Sequence, residues 1–321
     1  MAICRILNNQ PAASDHLPIN ALPTNKSITM VKFLLLLLMP AAVALNPVVG
    51  RALAGAFEPG QLTVVRWLAA GALVAIVMGL QRLESFSWQK WWRVALLGAL
   101  GMGFCSYAAY ASSKVGTATN VSLIYTCTAA LVVLYEIATR QVRPGFVLIG
   151  GVVICLFGAV VIVTRGELAQ LIAVKPAVGD LWALAGMSAW AVYTVAMKRR
   201  ATELDPLLLF TVMSFAGSVA FVPVAGIETL RAGLPELDFH ALMWIIALVL
   251  IASVGANLSY NEAIRRTGPI LTSAALSLSP LYTALMAVAL VGEELAWYHA
   301  VGGALVIIGL ITINFSRARE G

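Results

Sequence analysis

The sequence predicts an all-α integral membrane protein in which ten transmembrane helices form two inverted five-helix repeats around a central cavity. Of its 321 residues, 60% are hydrophobic and 11% are charged, whereas an ordinary soluble domain has roughly 25% charged residues. A helix needs about 20 predominantly apolar residues to span a bilayer. The stretches that approach this length are 33–53, 62–80, 93–112, 119–138, 146–164, 181–197, 207–226, 242–263, 270–291 and 298–316. They are continuously apolar rather than alternating, which favours helices over barrel strands.

The second half of the chain repeats the first. A constant offset of 152 residues, without a gap, pairs Gly103 with Gly255, Ala111 with Ala263, Lys114 with Arg266, Gly116 with Gly268, Gly150 with Gly302 and Gly151 with Gly303. Self-similarity of this kind indicates a duplicated unit. Residues 33–164 and 181–316 each contain five predicted helices, and an odd number requires the two units to insert with opposite orientation. In this plan a binding site lies near the midplane between the repeats.

Charge and composition predict the topology. Residues 1–32 are predicted to be disordered because residues 1–29 are polar and lack the apolar region of a signal peptide, and Met30 is a second plausible start. With a cytoplasmic N-terminus, most of the 21 Lys and Arg residues fall on the inner side. The positive-inside rule then places both termini in the cytoplasm. The net charge of +6 reflects this topology, so no nucleic-acid partner is expected.

The sequence offers no pattern for a metal, a cofactor or catalysis. The cysteines are Cys4, Cys105, Cys127 and Cys155. None forms a CxxC pair and three lie in apolar stretches, so we predict small core residues without a disulfide or a metal site. A membrane enzyme would need a nucleophile–base pair or a metal cluster at membrane depth. We find neither, and expect no enzyme activity and no cofactor.

The first two predicted helices each contain a residue that is unusual in a membrane. Pro47, after Asn46, lies near the middle of the first helix, where it frees a backbone carbonyl that must face protein or a wet cavity. A packing kink and a hinge beside the cavity both remain open. Arg66 lies about one turn into the second helix. An intramembrane charge can mark function, but we favour a structural position from which its side chain reaches the outer surface.

Aromatic side chains interrupt the third and sixth predicted helices. Tyr107 and Tyr110 are three residues apart and share a helix face. Their hydroxyl groups need hydrogen-bond partners in mid-bilayer, either in the protein core or in a cavity, and both positions remain open. Trp190 lies in the middle of its helix, where its indole N–H also needs an acceptor, and we favour a cavity-lining position for it.

Amides and hydroxyls interrupt the eighth and ninth predicted helices. Asn257 and Asn261 are four residues apart on one face, and two buried amides without partners would cost several kcal/mol. They therefore face protein or water, with hydrogen bonding between helices as the alternative to a cavity. Pro280 predicts a kink in the ninth helix, just after Ser277.

The last three predicted helices also carry recognisable motifs. They are Leu258-Ser-Tyr-Asn-Glu-Ala-Ile264 ahead of Gly268, Ser277-Leu-Ser-Pro280-Leu with Gly292-Glu293-Glu294 after it, and Gly302-Gly303. Together with the duplication they resemble the EamA family of the drug/metabolite transporter superfamily over about residues 33–316. The first half departs from the pattern, since Thr128 replaces the expected proline and Arg140 stands at the expected Gly-Glu turn. The resemblance implies a ten-helix metabolite exporter of the bacterial inner membrane, and the chain looks most like the aromatic amino acid exporters.

The predicted helices have no Asp, Glu or His in their middle. Proton-coupled transporters usually place such a residue on the path, and phosphorylated solutes would need several basic residues. We expect a neutral or zwitterionic solute, amino acids first and other neutral or drug-like metabolites as the alternative, moved by alternating access without a buried proton-relay acid. The predicted cavity residues are Asn46, Tyr107, Tyr110, Trp190, Tyr193, Asn257, Tyr260, Asn261 and Ser277, with Pro47 and Pro280 as hinges. The expected partners are this solute and the lipid bilayer, and a monomer is the working assumption.

Overall fold

Helices make up every regular element of the described chain, in agreement with the predicted all-α class. The structure, a computed structural model, describes residues 25–53, 55–79, 88–115, 124–125, 127–167, 169, 178–203, 205–291 and 296–318. Within these ranges, 7 helices are long and apolar enough to cross a membrane. The chain is therefore a multi-pass membrane protein, as its composition predicts.

The helix boundaries follow the predicted apolar stretches. The helices are α1 (Asn25–Ala52), α2 (Pro59–Met78), α3 (residues 88–115), α4 (Thr128–Ala138), α5 (Phe146–Val163), α6 (Val178–Glu203), α7 (Pro206–Ala232), α8 (Phe239–Thr267), α9 (residues 269–291) and α10 (Trp297–Ala318). α1 begins before the predicted residue 33, so the predicted disorder of residues 1–32 does not hold from Asn25 onward. The rest of that prediction, residues 1–24, lies outside the described residues, as does the predicted start of the fourth helix.

Several helices begin where the sequence supplies a cap. The Asp205 carboxylate accepts hydrogen bonds from the backbone N–H groups of Leu207 and Leu208 at the start of α7, and Pro206 occupies the first helical position. Asp238 caps α8 in the same way through the N–H of Ala241. A capping side chain satisfies donors that the helix itself leaves unpaired, so these acidic residues have a structural role.

Three helices depart from regular α geometry. α3 contains a π-helical segment at Ala99–Phe104, α8 contains one at Leu248–Gly255, and α9 contains a 3₁₀ turn at Leu276–Leu278. The two π segments lie in helices that the offset of 152 residues aligns. Single π turns inside α-helices are often found at functional sites. The turn in α9 immediately precedes Pro280, whereas α1 continues as a helix through Pro47.

The two halves of the chain pack against each other along most of their helices. α2 lies along α7, and α5 lies along α10. α1 contacts α8 and α9, while α3 contacts α6 and α7. Each of these contacts joins a helix of the first half to a helix of the second. We call the surface along which they meet the seam.

Glycines bring α5 and α10 into backbone contact. A Cβ atom added at Gly158 would lie 2.6 Å from the carbonyl oxygen of Gly302, and one added at Gly302 would lie equally close to the carbonyl oxygen of Gly158. Small residues permit this approach between membrane helices. Gly150 differs, because a Cβ there would meet nothing within 4 Å.

Charged residues distinguish the two ends of the bundle. At one end Lys114 pairs with Glu58, and Glu228 of α7 accepts hydrogen bonds from the first backbone N–H groups of α2. At the other end Lys198 of α6 pairs with Glu136 of α4. We call them the Glu58 end and the Lys198 end. Under the predicted topology they face the outside and the cytoplasm, respectively.

Candidate functional site

Arg66 is the centre of a buried hydrogen-bond network on the seam. Its side chain is 3% exposed. Nη1 donates to Oδ1 of Asn46 on α1 at 2.6 Å and to the hydroxyl of Tyr110 on α3 at 2.8 Å. Nε donates to Oγ of Ser253 and Nη2 to the carbonyl of Ala252, both on α8 and both at 2.7 Å. One guanidinium thus joins three helices of the first half to one of the second.

The Arg66 network contains only neutral acceptors among the described residues. Glu58 and Glu228, at the Glu58 end, are engaged by Lys114 and by backbone N–H groups, respectively. Removing a charge from water costs several kcal/mol even after the protein relaxes, and an opposite charge normally compensates it. The guanidinium is therefore only partly compensated by its hydrogen bonds and by the Trp67 ring 4.6 Å from its carbon.

This geometry corrects the expected position of Arg66. A residue one turn from a helix end can extend its side chain to the surface, and that position was expected from the sequence. The structure instead turns the side chain inward, where Asn46, Tyr110 and Ser253 receive it. The signal that could have identified the site is the presence of one basic residue inside an apolar stretch, the default marker of function in a membrane.

Local features of the neighbouring helices create room for Arg66. A Cβ at Gly50 would lie 3.1 Å from the ring of Tyr110, so this glycine lets the tyrosine ring approach α1 closely. The Tyr110 hydroxyl also donates to Asn46 at 3.1 Å. Ser253 belongs to the π segment of α8, and its hydroxyl donates to the carbonyl of Leu248. The altered helix turn thus presents Ser253 Oγ and the Ala252 carbonyl side by side.

Asn257 lies one turn further along α8 from Ser253. Its Nδ2 donates to the backbone carbonyl of Ser253 at 3.0 Å. Its Oδ1 is buried and has no hydrogen-bond donor in the described part of the chain. Water does not supply one easily, because the residue is only 5% exposed. An unpaired buried amide oxygen costs roughly 1–3 kcal/mol, so this position calls for a donor.

A second cluster joins α6 to α8 by aromatic rings. The ring of Trp190 lies 5.0 Å from that of Tyr193 and 5.0 Å from that of Tyr260. The Tyr193 hydroxyl donates to Oδ1 of Asn261 at 3.0 Å, and the Tyr260 hydroxyl lies 2.7 Å from Oγ1 of Thr194. Both tyrosines are fully buried and Trp190 is half-buried, so this cluster is packed rather than open to a cavity in this conformation.

The remaining predicted cavity residues lie apart from these two clusters. Tyr107 makes an edge-to-face contact with the ring of Trp182 and a tilted contact with that of Phe221, towards the Glu58 end. Ser277 is buried in the 3₁₀ turn of α9. The structure thus brings together Asn46 with Tyr110, and Trp190 with Tyr193, Tyr260 and Asn261. It does not unite the nine predicted residues in one site.

A cleft of about 750 Å³ opens at the Lys198 end between α4, α6 and α8. Its walls include Glu136, Lys198, Arg265 and Gly268, and none of the nine predicted cavity residues is among them. Glu136 is 1% exposed and pairs with Lys198 at 3.3 Å.

The Glu58 end is closed by apolar packing. A buried cluster formed by α1, α2, α3 and α8 fills the space there, and its members include Val49, Leu62, Tyr110 and Leu248. The Arg66 network lies beside this cluster through Tyr110 and Ala252. Within the described parts of the chain, the conformation is therefore closed by apolar packing beside Arg66 and open at the Lys198 end.

Apolar helices that enclose a buried charge and buried amides define a multi-pass membrane protein with a polar interior site. The EamA-like transporter family matches the chain over residues 30–164 and again over residues 177–315, and the chain belongs to this family. The family resemblance carried by the sequence motifs is thereby confirmed. Among the described residues no group of His, Cys, Asp or Glu side chains is placed to hold a metal ion.

Relatives of the chain are transporters by name. An uncharacterized transporter of Archaeoglobus fulgidus is 26% identical over 258 residues, which cover 79% of this chain and 86% of the relative. An uncharacterized transporter of Clostridium kluyveri is 21% identical over 298 residues, covering 90% and 94%. A solved crystal structure of another protein, 20% identical, shares the fold with a TM-score of 0.68 and covers 90% of this chain and 98% of its own. These names specify no substrate, so the likeness to aromatic amino acid exporters gains no support.

Proposed function

We propose that this transporter-family protein exports neutral amino acids, aromatic ones first, across the bacterial inner membrane by alternating access. The observation that carries the proposal is the composition of the seam. Arg66 donates there to Asn46, Asn257 lies one turn along α8 from the Arg66 acceptor Ser253, and the aromatic cluster of Trp190 joins α6 to α8. Such groups suit a zwitterion with an apolar side chain, since charge-assisted hydrogen bonds fix its ends and aromatic rings contact the remainder.

The helix packing supports a pair of inverted repeats. α1 runs towards the Glu58 end and α6, its counterpart, begins near that end and runs towards Lys198. Contacts also occur in exchanged pairs, since α1 packs on α8 while α6 packs on α3, and α2 and α5 each pack on their own counterpart. A pseudo-two-fold axis in the membrane plane would generate this pattern. The family model also matches the chain in two separate stretches, one in each half.

The asymmetry of the two ends supports alternating access. One end is sealed by an apolar cluster, and the other has a cleft between the two halves. Rocking of one half against the other exchanges these states around a fixed central site. Under the predicted topology the open cleft faces the cytoplasm, which is the side from which an exporter collects its solute.

The energy source in this proposal is the gradient of the solute itself. Glu136 is the buried acidic residue at the Lys198 end, and its pairing with Lys198 at the wall of the cleft gives it a gating position rather than a position beside Arg66. We therefore expect downhill transport without obligatory proton exchange.

An uptake screen with the purified full-length protein in liposomes tests the proposed function. Labelled amino acids, nucleosides and quaternary amines are each offered with and without an imposed pH gradient. Phenylalanine and other neutral amino acids should enter faster than into empty liposomes, to the same extent in both conditions. Failure of every amino acid to exceed the empty control would contradict the proposal, and uptake of quaternary amines alone would replace it with cation export.

A further inference from the structure

We infer that Arg66 binds the carboxylate of the solute and that Asn257 accepts a hydrogen bond from its ammonium group. This inference rests on the proposed transport of amino acids and assigns the two ends of the solute to named side chains. It also sets a requirement that the proposed function alone does not set, namely that a bound solute carries a carboxylate.

The hydrogen bonds of Arg66 fall into two groups, which involve different nitrogen atoms of the guanidinium and different halves of the chain. Nη1 is held by Asn46 and Tyr110, both from the first half of the chain. Nε and Nη2, which lie together on the other edge of the guanidinium, are held by Ser253 and Ala252 of the second half. When the halves separate, the first half therefore still fixes the side chain, while the edge formed by Nε and Nη2 loses its acceptors.

A carboxylate fits the edge that separation exposes. The planar guanidinium binds a carboxylate through two parallel hydrogen bonds, and these charge-assisted bonds are roughly twice as strong as bonds between neutral groups. The Ser253 hydroxyl and the Ala252 carbonyl imitate such a pair with neutral oxygens, each at 2.7 Å. Because no carboxylate of the described chain pairs with Arg66, an incoming anion would supply the missing compensation.

Asn257 provides the second, independent observation. Its Oδ1 is buried without a donor, and its Nδ2 is bonded to the backbone of Ser253, the residue whose hydroxyl contacts Arg66. Ser253 therefore connects the two side chains, because its hydroxyl contacts Arg66 and its backbone carbonyl contacts Asn257. An ammonium group next to a carboxylate, as in an α-amino acid, carries the donors that this oxygen requires.

The same arrangement links binding to the conformational change. A carboxylate that takes the Nε and Nη2 edge displaces the two acceptors by which α8 is bonded to Arg66. That displacement weakens the contact between the halves beside the apolar cluster of the Glu58 end. A solute entering from the cleft at the Lys198 end would thus favour opening of the opposite end, the order of events that export needs.

Binding of three related probes to the full-length protein in detergent tests the inference. They are phenylalanine, 3-phenylpropionate, which lacks the ammonium group, and 2-phenylethylamine, which lacks the carboxylate. We expect phenylalanine to bind most tightly and phenylethylamine about tenfold or more weakly, the loss typical of one charge-assisted interaction. This ranking uses the wild-type protein and does not depend on the folding of any variant.

Variants of Arg66 and Asn257 test whether these two residues cause the expected order of probe affinities. Arg66→Gln should weaken phenylalanine binding about tenfold or more and leave phenylethylamine binding unchanged, and Arg66→Lys should be intermediate because it keeps the charge without the fork. Arg231→Gln, which removes an exposed basic residue near the Glu58 end, is the matched control and should change neither. Asn257→Ala should reduce the difference between phenylalanine and 3-phenylpropionate.

The site could instead hold an inorganic anion, so each titration is repeated at low and at high sodium chloride concentration. The inference is overturned if chloride abolishes the binding of 3-phenylpropionate, if phenylethylamine binds as tightly as phenylalanine, or if no probe binds. Uptake of phenylalanine into liposomes together with equal binding of phenylethylamine would overturn this inference alone. The expected ranking without uptake of any amino acid would overturn the transport proposal alone.

Discussion

Arg66 on α2 and Ser253 on α8 are 187 residues apart in the chain, yet a hydrogen bond of 2.7 Å joins Nε of the first to Oγ of the second. The bond crosses the seam beside the apolar cluster that closes the Glu58 end. A contact in that position holds the two halves together in the sealed state, and it must break if that end opens.

Replacing Ser253 by alanine should therefore destabilise the sealed conformation. The substitution removes one hydrogen bond to a charged group, which is worth about 1.5–3 kcal/mol, and we expect a lower midpoint of thermal unfolding in detergent. Ser259→Ala is the matched control, since the Ser259 hydroxyl bonds only to carbonyls of its own helix. Equal midpoints for the two variants would show that the bond across the seam has no stabilising effect.

The contact between α3 and α6 depends on Gly101. A Cβ at this position in the π segment would fall inside contact distance of the Tyr193 ring, which is fully buried. Gly101→Ala should displace the ring and lower stability by about 1–3 kcal/mol, the usual cost of overpacking. Gly150→Ala, where a Cβ meets nothing within 4 Å, serves as the control. Unfolding in increasing SDS measures both, and a Gly101→Ala variant as stable as Gly150→Ala would contradict the packing described.

Replacing Lys198 should lower thermal stability more than replacing its partner Glu136 at the Lys198 end. Glu136 is 1% exposed, whereas the Lys198 side chain is 40% exposed. Lys198→Met leaves a buried carboxylate without its partner, while Glu136→Gln leaves a cation that reaches water. We expect Lys198→Met to lower thermal stability more, by about 1–2 kcal/mol, because the exposure of Lys198 reduces the penalty known for fully buried pairs. The reverse order would show that Glu136 is not buried in the membrane-embedded protein.

Replacing Trp190 should reduce transport of the solute more than it reduces the amount of folded protein. Its ring lies 5.0 Å from those of Tyr193 and Tyr260, all three in the second half of the chain, and it is half-buried, so the exposed part of its ring can contact a solute. Trp190→Ala should reduce phenylalanine uptake into liposomes several-fold at equal protein content. Trp92→Ala is the control, because Trp92 is 41% exposed and its ring contacts Arg93. If the two variants transport equally well, the aromatic cluster is not part of the path.

Hydrophobicity was sufficient to predict an all-α membrane protein, in which seven helices of the described residues are long and apolar enough to cross a membrane. Gly158 and Gly302 lie where α5 and α10 touch, because only a residue without a side chain permits that approach. The π segments of α3 and α8 were not predictable, since an extra residue in a helical turn changes neither composition nor apolar length. The sequence therefore determined which segments are helices but not where those helices deviate.

The candidate site was predicted in part. Asn46, Tyr110 and Asn257 were identified from their polarity, which is costly in a membrane wherever they point. The inward direction of Arg66 could not be deduced, because a long side chain near a helix end can turn either way, and its acceptors lie 20 to 187 residues away. The direction depends on which helices pack together, and that is a property of the folded structure.

The measurement that tests the account most directly is a pair of distance distributions from spin labels. One pair, Thr139→Cys with Arg265→Cys, spans the cleft at the Lys198 end, and the other, Ser113→Cys with Leu230→Cys, occupies exposed positions near the Glu58 end. The labels are introduced into protein from which the native cysteines have been removed. Saturating phenylalanine should shorten the first distance and lengthen the second. If phenylalanine binds and both distributions stay unchanged, alternating access between the two halves is contradicted.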